Sequence, residues 1–498
     1  MSTQVVIAGA GPVGLMLAAE LRLAGVDVVV LERLAEPTGQ ARAIGVHART
    51  VEVWDQRGVA DRFAGPTVPR YGYSGGLAPI EFAPLDTRFG MRLIPQTHTE
   101  RELGNWATEL GAELRRGHAL TGFHERDGGV EVAVAGPAGE YRLDAQWLAG
   151  CDGAGSTVRK LAGINFPGTA RTVELLSADV ADVPEHTPFR TEIPYIRRNE
   201  VGHLLVLPVL PDAYRVILYE FGRKPSGDRE PPPFAEICAL ARRIGDLDIS
   251  EATPRWCTRF GNAARQAETY RRGRVLLVGD AAHVHMPAAG QGLNLGVQDA
   301  VNLGWKLAAA VHGWAPPGLL DSFERERAPV AAQVLTDTQA QFALLAGGPE
   351  SAALRSVFAD LLRFERPNRL LAGRVSALTV RYDVGCGDAS HDLLGARLPH
   401  RELVAGGVAT SSTRLLHPAR GLLLDVDTDP ALLGLAEGWS DRVDTVAVTE
   451  PRDWPDGAAT VLVRPDGHVA WVGAGRSGDK DALHAALHRW FGPAGVWR

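Results

Sequence analysis

Apolar residues run along this chain in two rhythms. In QVVIA (residues 4–8) and VDVVVLE (26–32) they form short unbroken runs rich in β-branched side chains, which predict strands buried on both faces. Between them, PVGLMLAAELRLAG carries its apolar residues at helical spacing and stops at Gly25. Together these segments predict a βαβ unit. HARTVEVWDQRG predicts a second helix that ends at Gly58. Residues 71–93 mix Gly, Pro and aromatic residues in short alternation and predict strands leaving the first domain. TERELGNWATELGAELRRG returns to a helical pattern. ALTGFHERDGGVEVAVAG predicts a hairpin turning at Asp127-Gly128, and EYRLDAQWLAGCDGAGSTVRKLAG predicts a strand, a Gly-rich turn and a helix.

The texture changes from about Thr169 to Thr269. HLLVLPVLPDAYRVILYEF alternates as antiparallel strands do, around Pro211-Asp212. At Arg274 the α/β pattern resumes: RVLLVGD as a strand, a loop of Gly, Pro and Ala, then a long helix. Further helical stretches are expected from about Leu319 to Thr379. The last hundred or so residues alternate strands and turns in GLLLDV, DTVAV and the hairpin ATVLVRPDGHVAWVG around Asp466-Gly467. They end on the helical DKDALHAALHRWFG. No internal repeat or low-complexity segment is present.

With 498 residues, 45% of them hydrophobic and 22% charged, the chain has the composition of a globular protein of about three domains. A net charge of −7 argues against nucleic acid or an anionic membrane as the main partner. Cys151, Cys238, Cys257 and Cys386 show no CxxC spacing, so neither a disulfide framework nor a dithiol site is expected, and a reducing cytoplasm fits. The apolar start, Val5 to Ala19, has no basic flank and is broken by Gly9, Gly11, Pro12 and Gly14, unlike a signal peptide. No apolar run reaches the roughly 18 residues of a membrane span.

Three joints carry candidate chemistry. In Gly9-Ala10-Gly11-Pro12-Val13-Gly14, the first glycine allows a tight turn, the second lets backbone approach a pyrophosphate, and the third lets the helix pack close to the sheet. Glu32, at the end of the next strand, is placed to accept hydrogen bonds from a ribose. This motif alone does not separate NAD from FAD. Asp152-Gly153, with Ser156 and Arg159 following, reads by itself as a strand end and a helix capped by Ser156. Gly279-Asp280 closes a buried strand, and the loop that follows has little side chain, so its backbone N–H groups can face a flat ligand. Gly292 and Asn294 then open a helix whose N-terminus favours negative charge. His283 and His285 form an H-x-H pair, but no third ligand is in view and no metal is expected.

In this order the three joints resemble those of the class A flavoprotein monooxygenases, the para-hydroxybenzoate hydroxylase superfamily. The likeness is greatest to aromatic-polyketide hydroxylases and rifampicin monooxygenases. It runs nearly end to end, through RAIGVHARTVEVWDQRG, IPQ, DSFERERAPVA, RYD and LVRPDGHVAW. The resemblance implies an α/β fold with three parts. A Rossmann-like FAD-binding domain with trailing helices would take residues 1–70, 96–169 and 270–395. An inserted antiparallel-sheet substrate domain would take 71–95 and 170–269, and a thioredoxin-like domain 396–498. That last segment holds no cysteine, so its implied role is structural or in interaction, not dithiol chemistry.

Position by position, the resemblance implies that Gly11 and Val13 lie along the FAD pyrophosphate and that Glu32 and Arg33 hold the adenosine end. Arg42 would lie near pyrophosphate and flavin, Gln96 on the flavin side, and Asp152 beside FAD and the pyridine nucleotide. Asp280 would bind the ribityl chain, and Pro287, Gly290, Gly292, Leu293 and Asn294 would line the isoalloxazine ring. Two positions depart from the family's habit: Ala289 where a glycine is usual, and Met286 where proline is common.

The implied activity is an FAD- and NAD(P)H-dependent monooxygenase, with NADPH favoured. It would hydroxylate a large aromatic substrate of polyketide or ansamycin type through a flavin C4a-hydroperoxide. A single GxGxxG fits this class, because two-nucleotide enzymes usually show a second Rossmann unit. Baeyer–Villiger or epoxidising insertion, and an FAD-binding interaction protein, remain alternatives. No acid or base residue is assigned. Tyr73, Phe82, Phe189, Tyr195, Phe221 and Trp256 are candidate apolar walls for the substrate. The expected partners are a small aromatic molecule and O2, with no nucleic acid or membrane, and a homodimer as the candidate assembly.

Overall fold

The computed structural model describes residues 2–73, 78–209, 211–227, 230–385, 391–426, 430–449, 453–475 and 479–495. Cys386 lies outside them. β1 (Ser2–Ala8), α1 (Pro12–Leu23) and β2 (Val28–Glu32) form the expected βαβ unit, with β1 and β2 parallel. α2 (Ala48–Asp55) follows, and the chain leaves it through Gly58 at φ +71°. α3 (Gln96–Glu109) then leads to β3 (Glu113–Arg116), which pairs parallel with β2, Leu114 beside Val30.

This strand is a difference from the sequence reading, which continued the helix through AELRRG. The helix stops because Gly111 turns at φ +93°, and the free edge of β2 takes the next four residues. Pairing with a neighbouring strand overrides a local helical pattern.

β4 (Ala119–Arg126), β5 (Gly129–Gly136) and β6 (Gly139–Gly150) form an antiparallel meander, and the end of β6 runs parallel beside β1. A short helix, α4 (Thr157–Leu161), follows. The middle block is a five-stranded antiparallel sheet of β7 (Leu175–Ala181), β8 (Tyr195–Arg198), β9 (Gly202–Val209), β10 (Ala213–Glu220) and β11 (Thr253–Phe260), in the order β8-β9-β10-β7-β11. α5 (Phe234–Gly245) covers one face. Leu176, Ala178, Leu204, Val206, Val216 and Leu218 pack there with Ile237, Leu240, Ala241 and Ile244 of the helix.

β12 (Val275–Leu277) returns to the first sheet, parallel to β6, and gives the order β12-β6-β1-β2-β3. Numbered by position among the parallel strands, that is fifth, fourth, first, second, third. Strand order reverses between β1 and β6, and in such sheets ligands bind in the crevice beyond the carboxyl ends of the strands at that reversal. α6 (Gln291–Val311) lies against α1. The contact needs glycine: a Cβ on Gly296 would sit 2.5 Å from Val13 Cγ2, and one on Gly304 2.5 Å from Glu20 Cβ. α7 (Ser322–Leu345), α8 (Pro349–Leu361) and α9 (Glu365–Ser376) complete the trailing helices.

The C-terminal part is a second α/β layer. Among the described residues its strands are β13 (Glu402–Ala405), β14 (Val408–Ser411), β15 (Gly421–Asp425), β16 (Val443–Thr449), β17 (Thr460–Val463) and β18 (Val469–Gly473). They run in the order β14-β13-β16-β15-β17-β18, with β15 and β16 parallel, and α10 (Asp479–Phe491) buries Leu483, Leu487, Trp490 and Phe491 against them. The turn between β17 and β18 is buried in the first domain. There Arg464 pairs with Glu326 at 2.7 Å, Lys306 reaches Glu326 at 2.8 Å, and Arg49 donates to the Asp466 carbonyl at 2.9 Å. The fold class, α/β with an antiparallel sheet between two α/β parts, is the one the resemblance implied. Among the described residues, no helix is long and apolar enough to cross a membrane.

Candidate functional site

The crevice at the strand-order reversal is built from the first joint. Gly9 turns at φ +105°, and a Cβ there would meet the Cys151 carbonyl oxygen at 2.4 Å. A Cβ on Gly14 would lie 2.0 Å from the Gly9 carbonyl oxygen, so the helix can rest on the turn only without one. Gly11 is different: a Cβ there would meet nothing within 4 Å. Its side faces open cavity at the start of α1, where the first N–H groups of the helix have no partner within it. Glu32 accepts from the Ala10 N–H at 3.0 Å and the Leu34 N–H at 2.9 Å. A carboxylate has about four acceptor positions, so two remain for ribose hydroxyls.

Asp152 caps α4. It accepts from the Ser156 hydroxyl at 2.5 Å and from the N–H groups of Thr157 and Val158 at 2.6 and 3.1 Å, and Ser156 in turn accepts from Arg159 N–H at 2.9 Å. Arg159 crosses to the third joint, donating to the Ala281 carbonyl at 2.7 Å. Beyond Gly279, which turns at φ +63°, the Asp280 carboxylate stands exposed in the cavity. His283 is buried behind it, 2.6 Å from Asp299, which Arg327 holds from the other side at 2.6 Å. His285 lies with Nδ1 2.7 Å from the Met286 carbonyl, and burial lowers its pKa.

The turn before α6 is unusual. Ala289 has φ +52° and Gly290 φ +67°, both left-handed. The Gly290 carbonyl accepts from Asn294 Nδ2 at 2.8 Å, and the Ala289 carbonyl faces His47 Nε2 at 2.9 Å. His47 also donates its backbone N–H to Asn294 Oδ1 at 2.8 Å. Burial pulls the His47 pKa down to about 4 against the opposing pull of two backbone carbonyls. Gln96 accepts from the Ala43 N–H at 3.0 Å and donates to Glu100 at 2.7 Å, fixing the loop opposite.

One continuous cavity of about 1730 Å³ joins these parts. Gly11, Val13, Glu32, Arg33, Arg42, Gln96, Asp152 and Asp280 line it, as do Pro287, Gly290, Gly292 and Leu293. Asn294 does not line it; it braces the turn that does. The bare face of the middle sheet forms the far wall. Because side chains alternate along strands, the odd-numbered residues of β7, β9 and β10 and the even-numbered ones of β11 share that face. Cross-strand pairing arranges them in rows. Leu205, Ile217, Ser177 and Thr258 stand side by side, and so do Leu207, Arg215, Asp179 and Trp256. Arg215 pairs with Asp179 through two contacts of 2.8 Å and donates to the Arg42 carbonyl at 2.6 Å, tying the wall to the loop that carries Arg42. The Ser177 hydroxyl is buried with no hydrogen-bond partner among the described residues.

Of the six candidate walls, Trp256 alone lines this cavity. Tyr195 pairs with Val206, on the face covered by α5, and Phe189 packs beside it, their ring centroids 6.2 Å apart. Tyr73 stacks on Phe358 of α8 at 5.4 Å, and Phe82 is core. Phe221 lies beyond the end of β10 against Tyr219, under the Arg198 guanidinium. Sequence reasoning chose aromatics by type, whereas strand parity decides which face a residue joins. It missed Tyr71, which lines the cavity and whose pKa burial pushes up to about 12. It also missed His47, Ser177 and the Arg215–Asp179 pair. For Arg215 a signal existed: a charge within the alternating YRVILYE.

Known proteins give the arrangement its context. A model of the FAD binding domain matches residues 2–338, and a model of the C-terminal part of aromatic-ring hydroxylases matches residues 391–494. The 12-dehydrotetracycline 5-monooxygenase/anhydrotetracycline 6-monooxygenase of Streptomyces rimosus is 45% identical over 99% of both chains. The rifampicin monooxygenase of Streptomyces venezuelae is 45% identical over 98% of this chain and 99% of its own. The solved structure of BexE, from work on oxidation during BE-7585A biosynthesis, is 49% identical. Its TM-score is 0.91, covering 99% of this chain and 100% of that one. Gly11's open side, the unpartnered start of α1 and the free acceptor positions of Glu32 suit a dinucleotide such as FAD. The chain therefore belongs to the FAD-dependent aromatic-ring hydroxylases and is a flavoprotein monooxygenase.

Proposed function

We propose that this enzyme uses NAD(P)H, with NADPH favoured, to hydroxylate a large polycyclic aromatic molecule of polyketide or ansamycin type. The observation that carries this reading is the cavity. At about 1730 Å³ it exceeds the roughly 300–1,000 Å³ of a site for one drug-sized ligand, so it has room for a dinucleotide and a large substrate together. Its far wall is broad, with Leu205, Ile217, Leu207 and Trp256 offering an apolar surface to a flat ring system. Ser177 and Thr258 offer hydroxyls to an oxygenated edge. Bound flavin supplies the activation of O2. The chain's own residues hold the cofactor by Gly11, Glu32 and Asp280, present the ring from the turn 287–290, and exclude water with the sheet wall.

The test is a panel containing anhydrotetracycline, rifampicin and simpler polycyclic phenols, followed by NADPH consumption in air and product mass. At least one large member should stimulate NADPH oxidation and yield a product heavier by one oxygen. A ring-expanded lactone would favour oxygen insertion into a C–C bond. Bound flavin with no NADPH or NADH oxidation under any substrate would sink the reading and favour a binding role.

A further inference from the structure

The turn that faces the flavin side carries an alanine in a backbone conformation that suits glycine. Left-handed geometry costs an L-residue roughly 1–2 kcal/mol, and Ala289 sits there at φ +52°. Something outside the turn must hold it. Two successive carbonyls, those of Ala289 and Gly290, are engaged by groups from the protein interior: His47 Nε2 at 2.9 Å and Asn294 Nδ2 at 2.8 Å. The two holders are themselves joined, since the His47 N–H donates to Asn294 Oδ1 at 2.8 Å. His47 is buried at the N-terminal end of α2, and its other ring nitrogen faces the Val375 carbonyl near the end of α9 at 2.5 Å. A neutral imidazole has one ring hydrogen, and carried on Nε2 it is donated to the Ala289 carbonyl, tying α2 to the one residue of the loop in strain.

We propose that His47 is a positioning residue that offsets the strain at Ala289 and so keeps the flavin-facing turn in shape. It touches no reacting atom and acts through the Ala289 carbonyl. Without it, Ala289 relaxes toward negative φ and the peptide joining it to Gly290 rotates, bringing a carbonyl toward the cavity where the ring of the cofactor belongs. A glycine at 289 would remove the need, because glycine adopts positive φ at no steric cost. The inference rests on the assignment of residues 287–294 to the flavin side of the cavity.

The test is a double-mutant cycle read by FAD binding to the deflavinated full-length enzyme and by the visible flavin spectrum. His47→Ala should weaken FAD binding about tenfold, the size expected for one lost buried hydrogen bond, and shift the flavin band. His47→Gln, whose carboxamide can still donate, should fall between. In an Ala289→Gly background the effect of His47→Ala should shrink to about threefold or less. Equal effects in both backgrounds would overturn the proposal, as would unchanged FAD affinity and spectrum in His47→Ala. If His47→Ala and His47→Gln fold only in the Ala289→Gly background, the strain account stands; if they fold in neither, His47 is a core residue and the account falls. Failure of the unaltered chain to bind FAD would instead sink the cofactor assignment.

Discussion

Two glycines three residues apart do different work. Gly14 is closed in by the Gly9 carbonyl, where a Cβ would lie at 2.0 Å, while Gly11 faces open space. Gly14→Ala should therefore destabilise the apoprotein by several °C, through the roughly 1–3 kcal/mol that overpacking costs. Gly11→Ala, at φ −75°, meets no clash in the protein. It should leave apoprotein melting nearly unchanged and lower FAD affinity about tenfold or more. Thermal melts of both apoproteins beside FAD titrations check this; equal destabilisation by the two would sink it. These roles were legible in the sequence because a GxGxxG motif encodes close approaches between backbone segments. His47 was not legible, since its partners lie 242 and 328 residues away. Ala289 stood out by type, but its left-handed φ is visible only in three dimensions.

Strand parity is the lesson at the scale of elements. Val216 and Ile217 are neighbours in β10, yet Val216 packs under α5 and Ile217 joins the cavity wall. Val216→Arg should unfold the middle sheet, since it buries an unpaired charge. Ile217→Arg should keep FAD binding and melting close to the parent while abolishing substrate-stimulated NADPH oxidation. A stable Val216→Arg, or an Ile217→Arg with full stimulation, would reverse the assignment of faces. The alternation of HLLVLPVLPDAYRVILYEF was legible, and so was the antiparallel sheet. Which phase of the alternation faced the cavity was not, because α5 could have covered either side. That is why Phe189 and Tyr195 were offered as walls and are found beneath the helix. β3 escaped notice for the same reason, its four residues becoming a strand only beside the open edge of β2.

Over the whole molecule, the parts are joined by buried polar groups that titrate, and these set how the enzyme responds to acid. Burial pulls His47 down to about 4, and pulls His468 of the β17–β18 turn down to about 3. For each, the folded chain binds fewer protons than the unfolded chain between its own pKa and 6.5. Stability from this source is complete above 6.5 and is lost as pH falls toward the folded values, by up to about 1.4 kcal/mol per pH unit per histidine. Glu326 adds to the loss at lower pH: burial alone would raise it, but Arg464 and Lys306 outweigh that and hold it at about 2. Glu20, raised by burial, works in the opposite direction just above 4.5 and offsets part of the loss. Urea unfolding from about pH 7 to about pH 5 should therefore show stability falling by about 2–4 kcal/mol. His468→Gln should flatten the slope, since it removes one contributor. Because His468 sits in the C-terminal turn while His47 sits behind the turn before α6, the fall should appear together in probes of both parts. Flavin release without loss of C-terminal structure, or stability that holds or rises on acidification, would show that the junction does not couple them.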